Sequence, residues 1–137
     1  MISNTVGIIL TSEVSHDGTV LFIGGSTAFD FKRGHAIIQA VNFTKQLNYI
    51  TDIQMTEADN MYVSKIRRIE ESNKIIVATS KSVYIYIFKN QFFNKIAVIP
   101  NLLPGGDCMT EMVFFKSTLY VLPSNSKVIL QVEFASS

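Results

Sequence analysis

The chain has 137 residues and a formal net charge of +1, with apolar residues making up 47% of it and charged residues 17%. This length fits a single domain over residues 1–137 that can bury a core, and the apolar content excludes a disordered chain. The near-neutral charge argues against nucleic acid or an anionic membrane as a partner. So few charged residues indicate that part of the surface is buried against another protein.

The cysteine content and the N-terminus bear on the compartment. Cys108 is the single cysteine, which excludes an internal disulfide and fits a reducing environment. The N-terminus has no positive region, and its apolar run over residues 6–10 is short for a signal peptide. No apolar stretch reaches the roughly 20 residues of a membrane helix. These features predict an intracellular protein without a membrane span, with the cytoplasm as its compartment.

β-branched and aromatic residues cluster along the chain in short runs that are typical of strands. Turn residues link these runs, as in residues 16–18 and 32–34, and such short links favour antiparallel meanders. The sequence therefore predicts an all-β protein. The predicted strands are residues 6–14, 19–25, 27–31, 35–43, 47–55, 62–69, 74–80, 82–89, 92–99, 109–115, 118–123 and 127–134.

One segment, residues 56–73, also carries a helical pattern. Thr56 and Asp59 have the spacing of a capping box, and apolar residues follow at intervals of three and four. The segment is therefore either a helix over residues 57–71 or contains a strand over residues 62–69. The internal repeat described below favours the strand.

The strand predicted at residues 82–89 has apolar residues on both of its faces. A strand with one wet face alternates between apolar and polar residues, so both faces of this strand must be covered. We therefore expect Tyr84, Ile85, Tyr86 and Ile87 to be largely buried.

Similar patterns recur along the chain. Residue 13 aligns with residue 68 at an offset of 55, and Ile76 aligns with Tyr120 at a spacing of 44. Strand repeats of about 40–50 residues are typical of propeller blades, which pack on their neighbours through both faces. The predicted blades are residues 6–43, 62–99 and 109–134, with an insertion near residues 44–60.

Three blades are too few to close a ring, because propellers typically have four to eight. We therefore predict propeller-like antiparallel blades in an incomplete ring. A companion chain, the rest of a longer polypeptide or a second copy would supply the missing blades or strand, and the isolated chain should self-associate or aggregate through its open edge. The alternative fold is a β-sandwich that presents aromatic residues to a partner, since sandwiches also consist of short strands.

Several short motifs bear on the family. Residues 15–18 read Ser-x-Asp-Gly, residues 24–26 read Gly-Gly-Ser, and residues 32–34 form a basic turn ending in Gly between two predicted strands. In this order they resemble a WD40-type blade. The chain has no Trp, and Phe31-Lys32 and Phe88-Lys89 stand where that family has Trp-Asp, so the resemblance is to a divergent propeller. Propellers of this type commonly scaffold protein complexes, which implies binding through loops at the blade edges.

The residue inventory argues against catalysis. His16 and His35 are the only histidines, neither lies near Cys108 in sequence, and no spacing predicts a metal site or a cofactor. We therefore predict a non-enzymatic protein–protein interaction scaffold, part of a WD40-like propeller in a larger complex, with no small-molecule substrate. The alternatives are a structural subunit embedded in a large assembly and a propeller enzyme with an active site in its channel. The predicted partner-binding residues are Asp17, Lys32, Arg33, Lys89, Asn90 and Gln91.

Overall fold

A computed structural model describes residues 6–55, 60–100, 102, 110–123 and 129–133. These residues form eleven strands and one 3-10 helix, Phe31–Arg33, so the all-β prediction is confirmed. The strands are β1 (Ile8–Val14), β2 (Val20–Ser26), β3 (Ala36–Asn42), β4 (Asn48–Met55), β5 (Val63–Arg68), β6 (Lys74–Thr79), β7 (Val83–Lys89), β8 (Phe92–Ile99), β9 (Thr110–Phe115), β10 (Thr118–Pro123) and β11 (Leu130–Glu133).

The strands form three antiparallel meanders in chain order. The first sheet contains β1 to β4, the middle sheet β5 to β8, and the third sheet β9 to β11. Tight turns join the hairpins: Asn90 and Gln91 both have positive φ angles, as the two-residue turns that match strand twist require. In the described part of the chain, none of the three sheets closes on itself.

The first two sheets repeat each other even in their irregularities. Leu10 is an extra, bulged residue in β1, and Ser64 is its counterpart in β5. Ile50 and Ile96 are likewise the bulged residues of β4 and β8. Bulges bend a strand at a defined point. Their recurrence shows that the two sheets are copies of one structural unit.

The bulges also give the true register of the repeat. The counterparts at residues 10 and 64 are offset by 54, so the predicted offset of 55 is wrong by one residue over the first two strands of each sheet. The counterparts at residues 50 and 96, in the fourth strands, are offset by 46. Side chains alternate between the faces of a strand, and a slip of one residue therefore exchanges the two faces. The structure accordingly matches Phe22 with Ile76, each of which packs toward the sheet that follows its own.

The three sheets are stacked in chain order, with their first strands β1, β5 and β9 side by side. The backbone N–H of Ile66 donates to Thr11 Oγ1 over 3.2 Å, and that of Arg68 donates to Glu13 Oε1 over 2.9 Å. Glu111 of β9 in turn pairs with basic side chains of β5. Sheets that stack in series around neighbouring first strands have propeller-like geometry, whereas a sandwich has two sheets.

The middle sheet is covered on both faces, as predicted. Tyr84 and Tyr86 pack in the cluster shared with the first sheet, and Ile76 packs in the cluster shared with the third. Ile85 and Ile87 are only half-buried, so the burial expected for them is too high. Both face the third sheet, which has three described strands whereas the first sheet has four, so it covers less of the middle sheet.

Among the described residues, one face of the third sheet packs against the middle sheet. Leu119 and Val121 are fully buried against the middle sheet. On the opposite face, Val113 is 53% exposed, Phe115 59% and Leu122 38%. Alternation along the strands thus separates a core face from an apolar face that water reaches.

The strand predicted at residues 27–31 is wrong. The N–H of Thr27 donates to the carbonyl of His35, and the chain between them turns through the 3-10 helix. The Asp30 side chain caps this helix by accepting from the N–H of Lys32 over 3.1 Å. Asp side chains that bond to nearby backbone groups favour turns over strands, and here that preference decides the local structure.

Because residues 27–31 are not a strand, the next two strands take different places in the first sheet from those predicted. Residues 36–42 form the third strand of the first sheet, and residues 48–55 form its fourth strand. The insertion predicted near residues 44–60 is therefore wrong over β4, and the first sheet extends past residue 43. The basic turn at residues 32–34 therefore lies between the second and third strands of this sheet, whereas the prediction placed it between the third and the fourth.

The ambiguous segment contains β5, so the strand prediction is confirmed over Val63–Arg68. Residues 56–59, which carry the predicted capping box, lie outside the described residues. Cys108 also lies outside them.

Candidate functional site

A groove of about 510 Å³ opens between the β1–β2 turn and the β5–β6 turn, at one end of the first and middle sheets. We call it the turn groove. The two turns occupy equivalent places in the repeat and lie next to each other because the sheets are stacked. The groove is lined by Ser15, His16, Asp17, Val20, Phe22, Glu71, Ser72, Asn73 and Phe88.

Asp17 organises the β1–β2 turn. Its Oδ1 atom accepts hydrogen bonds from the Thr19 hydroxyl over 2.7 Å, the Thr19 N–H over 3.0 Å and the Ser15 hydroxyl over 2.7 Å. These bonds, those from Thr19 foremost, lower the pKa of Asp17 to about 2. Gly18 provides the left-handed residue that the turn needs, with a φ of 76°. The turn therefore places an ionised carboxylate at the rim at neutral pH.

The β5–β6 turn is held by its own hydroxyl. Ser72 Oγ donates to the carbonyl of Ile69 over 2.5 Å and accepts from the N–H of Lys74 over 3.2 Å. Glu71 is exposed in this turn and, at the offset of 54, is the counterpart of Asp17. The groove thus has one carboxylate on each side.

Aromatic side chains form the floor. The rings of Phe22 and Phe88 meet edge to face with centroids 5.2 Å apart, and Phe93 packs 5.1 Å from Phe88. Phe22 and Val20 are buried, whereas Phe88 is half-buried. The rings fix one another, so the floor is a rigid apolar surface beneath a charged rim.

Four of the predicted site residues lie at this end of the sheets. Asp17 lines the turn groove itself, and Lys89, Asn90 and Gln91 form the end of β7 and the β7–β8 turn. Gln91 lines a second groove of about 430 Å³ beside the β3–β4 turn, which Tyr49 also lines. Asp17 and Gln91 therefore line different grooves, and Lys89 and Asn90 line neither of the two.

Lys32 and Arg33 lie at the opposite end of the first sheet, in the 3-10 helix between β2 and β3. Arg33 Nε is 3.7 Å from Asp30 Oδ2, and both side chains are exposed. Such a pair contributes little to stability. The structure does not bring these two residues together with the other predicted ones.

Phe22, Glu71 and Phe88 line the groove but are not among the predicted site residues. The signal for Glu71 was present in the repeat, because the correct offset of 54 aligns it with Asp17. The predicted offset of 55 aligns Asp17 with Ser72, so it does not indicate that Asp17 and Glu71 occupy equivalent positions in the two turns. The aromatic floor had no signal of its own, since core phenylalanines and groove phenylalanines look alike in a sequence.

Within the described ranges, no group of three or more His, Cys, Asp and Glu residues is placed to hold a metal ion. The helical part of the described chain is too short and too polar to cross a membrane.

No family model matches this chain, and no curated protein matches it. Among solved structures it is similar to KlHsv2 with loop 6CD replaced by a Gly-Ser linker, with a TM-score of 0.52 and 15% identity over 93% of this chain and 36% of that chain. Kluyvelomyces marxianus Hsv2 matches with a TM-score of 0.43 and 14% identity over 92% of this chain and 37% of that chain. Hsv2 is a β-propeller, so the first likeness shows a propeller-like fold. The chain spans about a third of the length of these structures.

Proposed function

We propose that this chain is a non-enzymatic protein–protein interaction scaffold, part of a β-propeller that further sheets complete. The observation that carries the proposal is the outer face of the third sheet, which consists of Val113, Phe115, Tyr120 and Leu122. These four side chains are contiguous across β9 and β10, and Val113, Phe115 and Leu122 are exposed. Thr118 and Glu111 lie on the same face as the cross-strand partners of Phe115 and Leu122, so the face is mainly apolar.

Equivalent positions in the middle sheet are buried. Ile76 and Ala78 of β6 pack against the third sheet and are fully buried. At the spacing of 44 their counterparts are Tyr120 and Leu122, which point away from the middle sheet. Exposed apolar patches of this kind mark interaction sites in soluble proteins. The outer face thus has the composition of a sheet-to-sheet contact and lacks the second sheet.

The expected occupant is another antiparallel sheet of the same kind. The two contacts inside this chain indicate what such a sheet presents: aliphatic and aromatic side chains in the middle, with charged residues near the first strand. The similarity to a propeller more than twice as long supports this choice, because it accommodates further sheets beyond the third. A companion chain or a longer chain would supply them.

Sedimentation velocity of the isolated chain at micromolar concentration tests the proposal. An outer face without its sheet should drive self-association, and the double substitution Val113→Thr and Phe115→Thr should reduce it while keeping residues that suit strands. Phe29→Thr is the matched control, because Phe29 is 81% exposed but lies in the β2–β3 loop. A folded wild-type monomer, or a double variant that associates as strongly as wild type, would refute the proposal.

A further inference from the structure

We infer that the turn groove binds a single Lys or Arg side chain from a partner polypeptide. This inference rests on the proposed scaffold function and adds the chemistry of one contact. It follows from the charge of the rim, the apolar floor and the size of the groove.

The rim attracts a cation. All three hydrogen bonds to Asp17 converge on Oδ1, and among the described residues Oδ2 accepts none. Glu71 extends into solvent from the other turn. No Lys or Arg is among the residues that line the groove, and His16 is the one basic side chain among them. A charge-assisted hydrogen bond to either acid is therefore open to a ligand.

The floor selects a cation with an apolar stem. Lys and Arg side chains pack their methylene groups on apolar surfaces while the charged end stays near water or an acid. Phe88, which is half-buried, offers such a surface in the groove, and the buried Phe22 and Val20 pack with it. Cations also bind favourably to aromatic rings. A metal ion would leave the floor uncovered, an anion would meet the two acids, and an apolar side chain would leave both acids unpaired.

The volume and the construction of the groove agree with this ligand. About 510 Å³ lies within the range of small-ligand pockets and is ample for one long side chain with its flanking backbone. The two walls belong to consecutive sheets, so the groove exists only where the sheets are stacked. The site is therefore a property of the folded repeat and is absent from either turn alone.

Titration of the ¹⁵N-labelled full chain with acetyl-Gly-Arg-Gly-amide, followed by backbone NMR shifts, tests the inference. We expect saturable shifts confined to residues 15–20 and 69–73, and a dissociation constant that rises with salt. The same peptide with citrulline, which has no charge, should bind about tenfold more weakly or not at all. The combined Asp17→Asn and Glu71→Gln variant should show the same loss.

Glu70→Gln is the matched control, because Glu70 neighbours Glu71 but does not line the groove. Its affinity should stay within about twofold of wild type. The inference is wrong if the peptide causes no shifts in the groove, if citrulline binds equally well, if an acetyl-Gly-Glu-Gly-amide probe binds instead, or if Glu70→Gln weakens binding as much as the double variant.

The titration is repeated on the Val113→Thr and Phe115→Thr variant, whose substitutions lie on the third sheet, away from the groove. If the wild-type chain self-associates but neither it nor the variant binds the peptide in the groove, this inference alone is refuted. Groove binding in a wild-type chain that remains monomeric refutes the proposed sheet contact alone. The two failures are therefore distinguishable.

Discussion

The middle and third sheets contain similar second strands in different surroundings. In β6, residues 75–78 are all fully buried, because sheets cover both faces. In β10, Leu119 and Val121 are buried while Leu122 between Val121 and Pro123 is exposed. Both strands consist mainly of apolar residues. The comparison shows that burial of such a strand is set by the sheets beside it, which its own composition does not specify.

The largest effect on stability is expected when the same substitution, Leu to Ala, is made on each of the two faces of β10. Leu119→Ala removes a fully buried side chain and should lower the free energy of unfolding by about 2–5 kcal/mol. Leu122→Ala, on the outer face, should lower it by less than about 1 kcal/mol in a chain kept monomeric by Val113→Thr and Phe115→Thr. Urea denaturation of both variants measures the difference. Equal losses would mean that the outer face is already packed.

The next effect concerns the segment that leads into β5 from the first sheet. Asn60 Nδ2 donates to the Tyr84 hydroxyl over 2.6 Å, and Asn60 Oδ1 accepts from the Thr79 hydroxyl over 2.7 Å. Tyr84→Phe removes the acceptor of a buried amide and should cost about 1–3 kcal/mol. Tyr49→Phe, which breaks an exposed bond to Asp52, is the control and should cost less than about 1 kcal/mol. Similar melting curves for the two variants would show that the buried bond is replaced, for example by water.

A smaller effect is expected where β5 meets β9. Glu111 lies 2.9 Å from Lys65 Nζ and 3.1 Å from Arg67, and it is half exposed. Glu111→Gln should lower stability by less than about 1 kcal/mol, and the loss should vanish in 1 M salt. Denaturation at low and high salt measures it. A loss that persists in high salt would indicate packing by the side chain and not ion pairing.

The stabilisation by Glu111 and its two basic partners should depend on pH in a defined direction. The hydrogen bond from Lys65, and then the charges of Lys65 and Arg67, lower the pKa of Glu111 in the folded chain. Its stabilising contribution is therefore complete above the pKa of the unfolded chain and is lost as pH falls through the lower, folded value. The wild-type and Glu111→Gln chains should converge in stability in acid.

The smallest effect on stability, but a clear spectroscopic one, is expected at Asp17 in the first sheet. NMR titration of its carboxyl carbon should show a midpoint near 2, and Thr19→Val should move that midpoint toward the ordinary 3.8 because Thr19 provides the main hydrogen bonds. The folded pKa is the lower one, so the turn keeps this contribution above 3.8 and loses it as pH falls through about 2. An unchanged midpoint in Thr19→Val would contradict the bonding pattern.

Local sequence determined much of the fold. Alternating and continuous apolar runs placed β6, β7 and β8 within a residue or two of their bounds, since strand periodicity is a property of neighbouring residues. The apolar residues on both faces of β7 also predicted that two sheets cover it. The same reasoning failed at residues 27–31, because one Asp-capped turn outweighed a run that alternates like a strand.

Only the tertiary structure decided the register and the candidate site. An offset of 54 and an offset of 55 both align apolar runs with apolar runs, and the choice between them depends on which side chains the neighbouring sheet accepts. Asp17 and Glu71 line the same groove because two sheets stack with their turns at one end, and neither turn contains that information. The sequence specifies strands through contacts a few residues apart, whereas the groove between the turns arises from contacts between residues more than fifty positions apart.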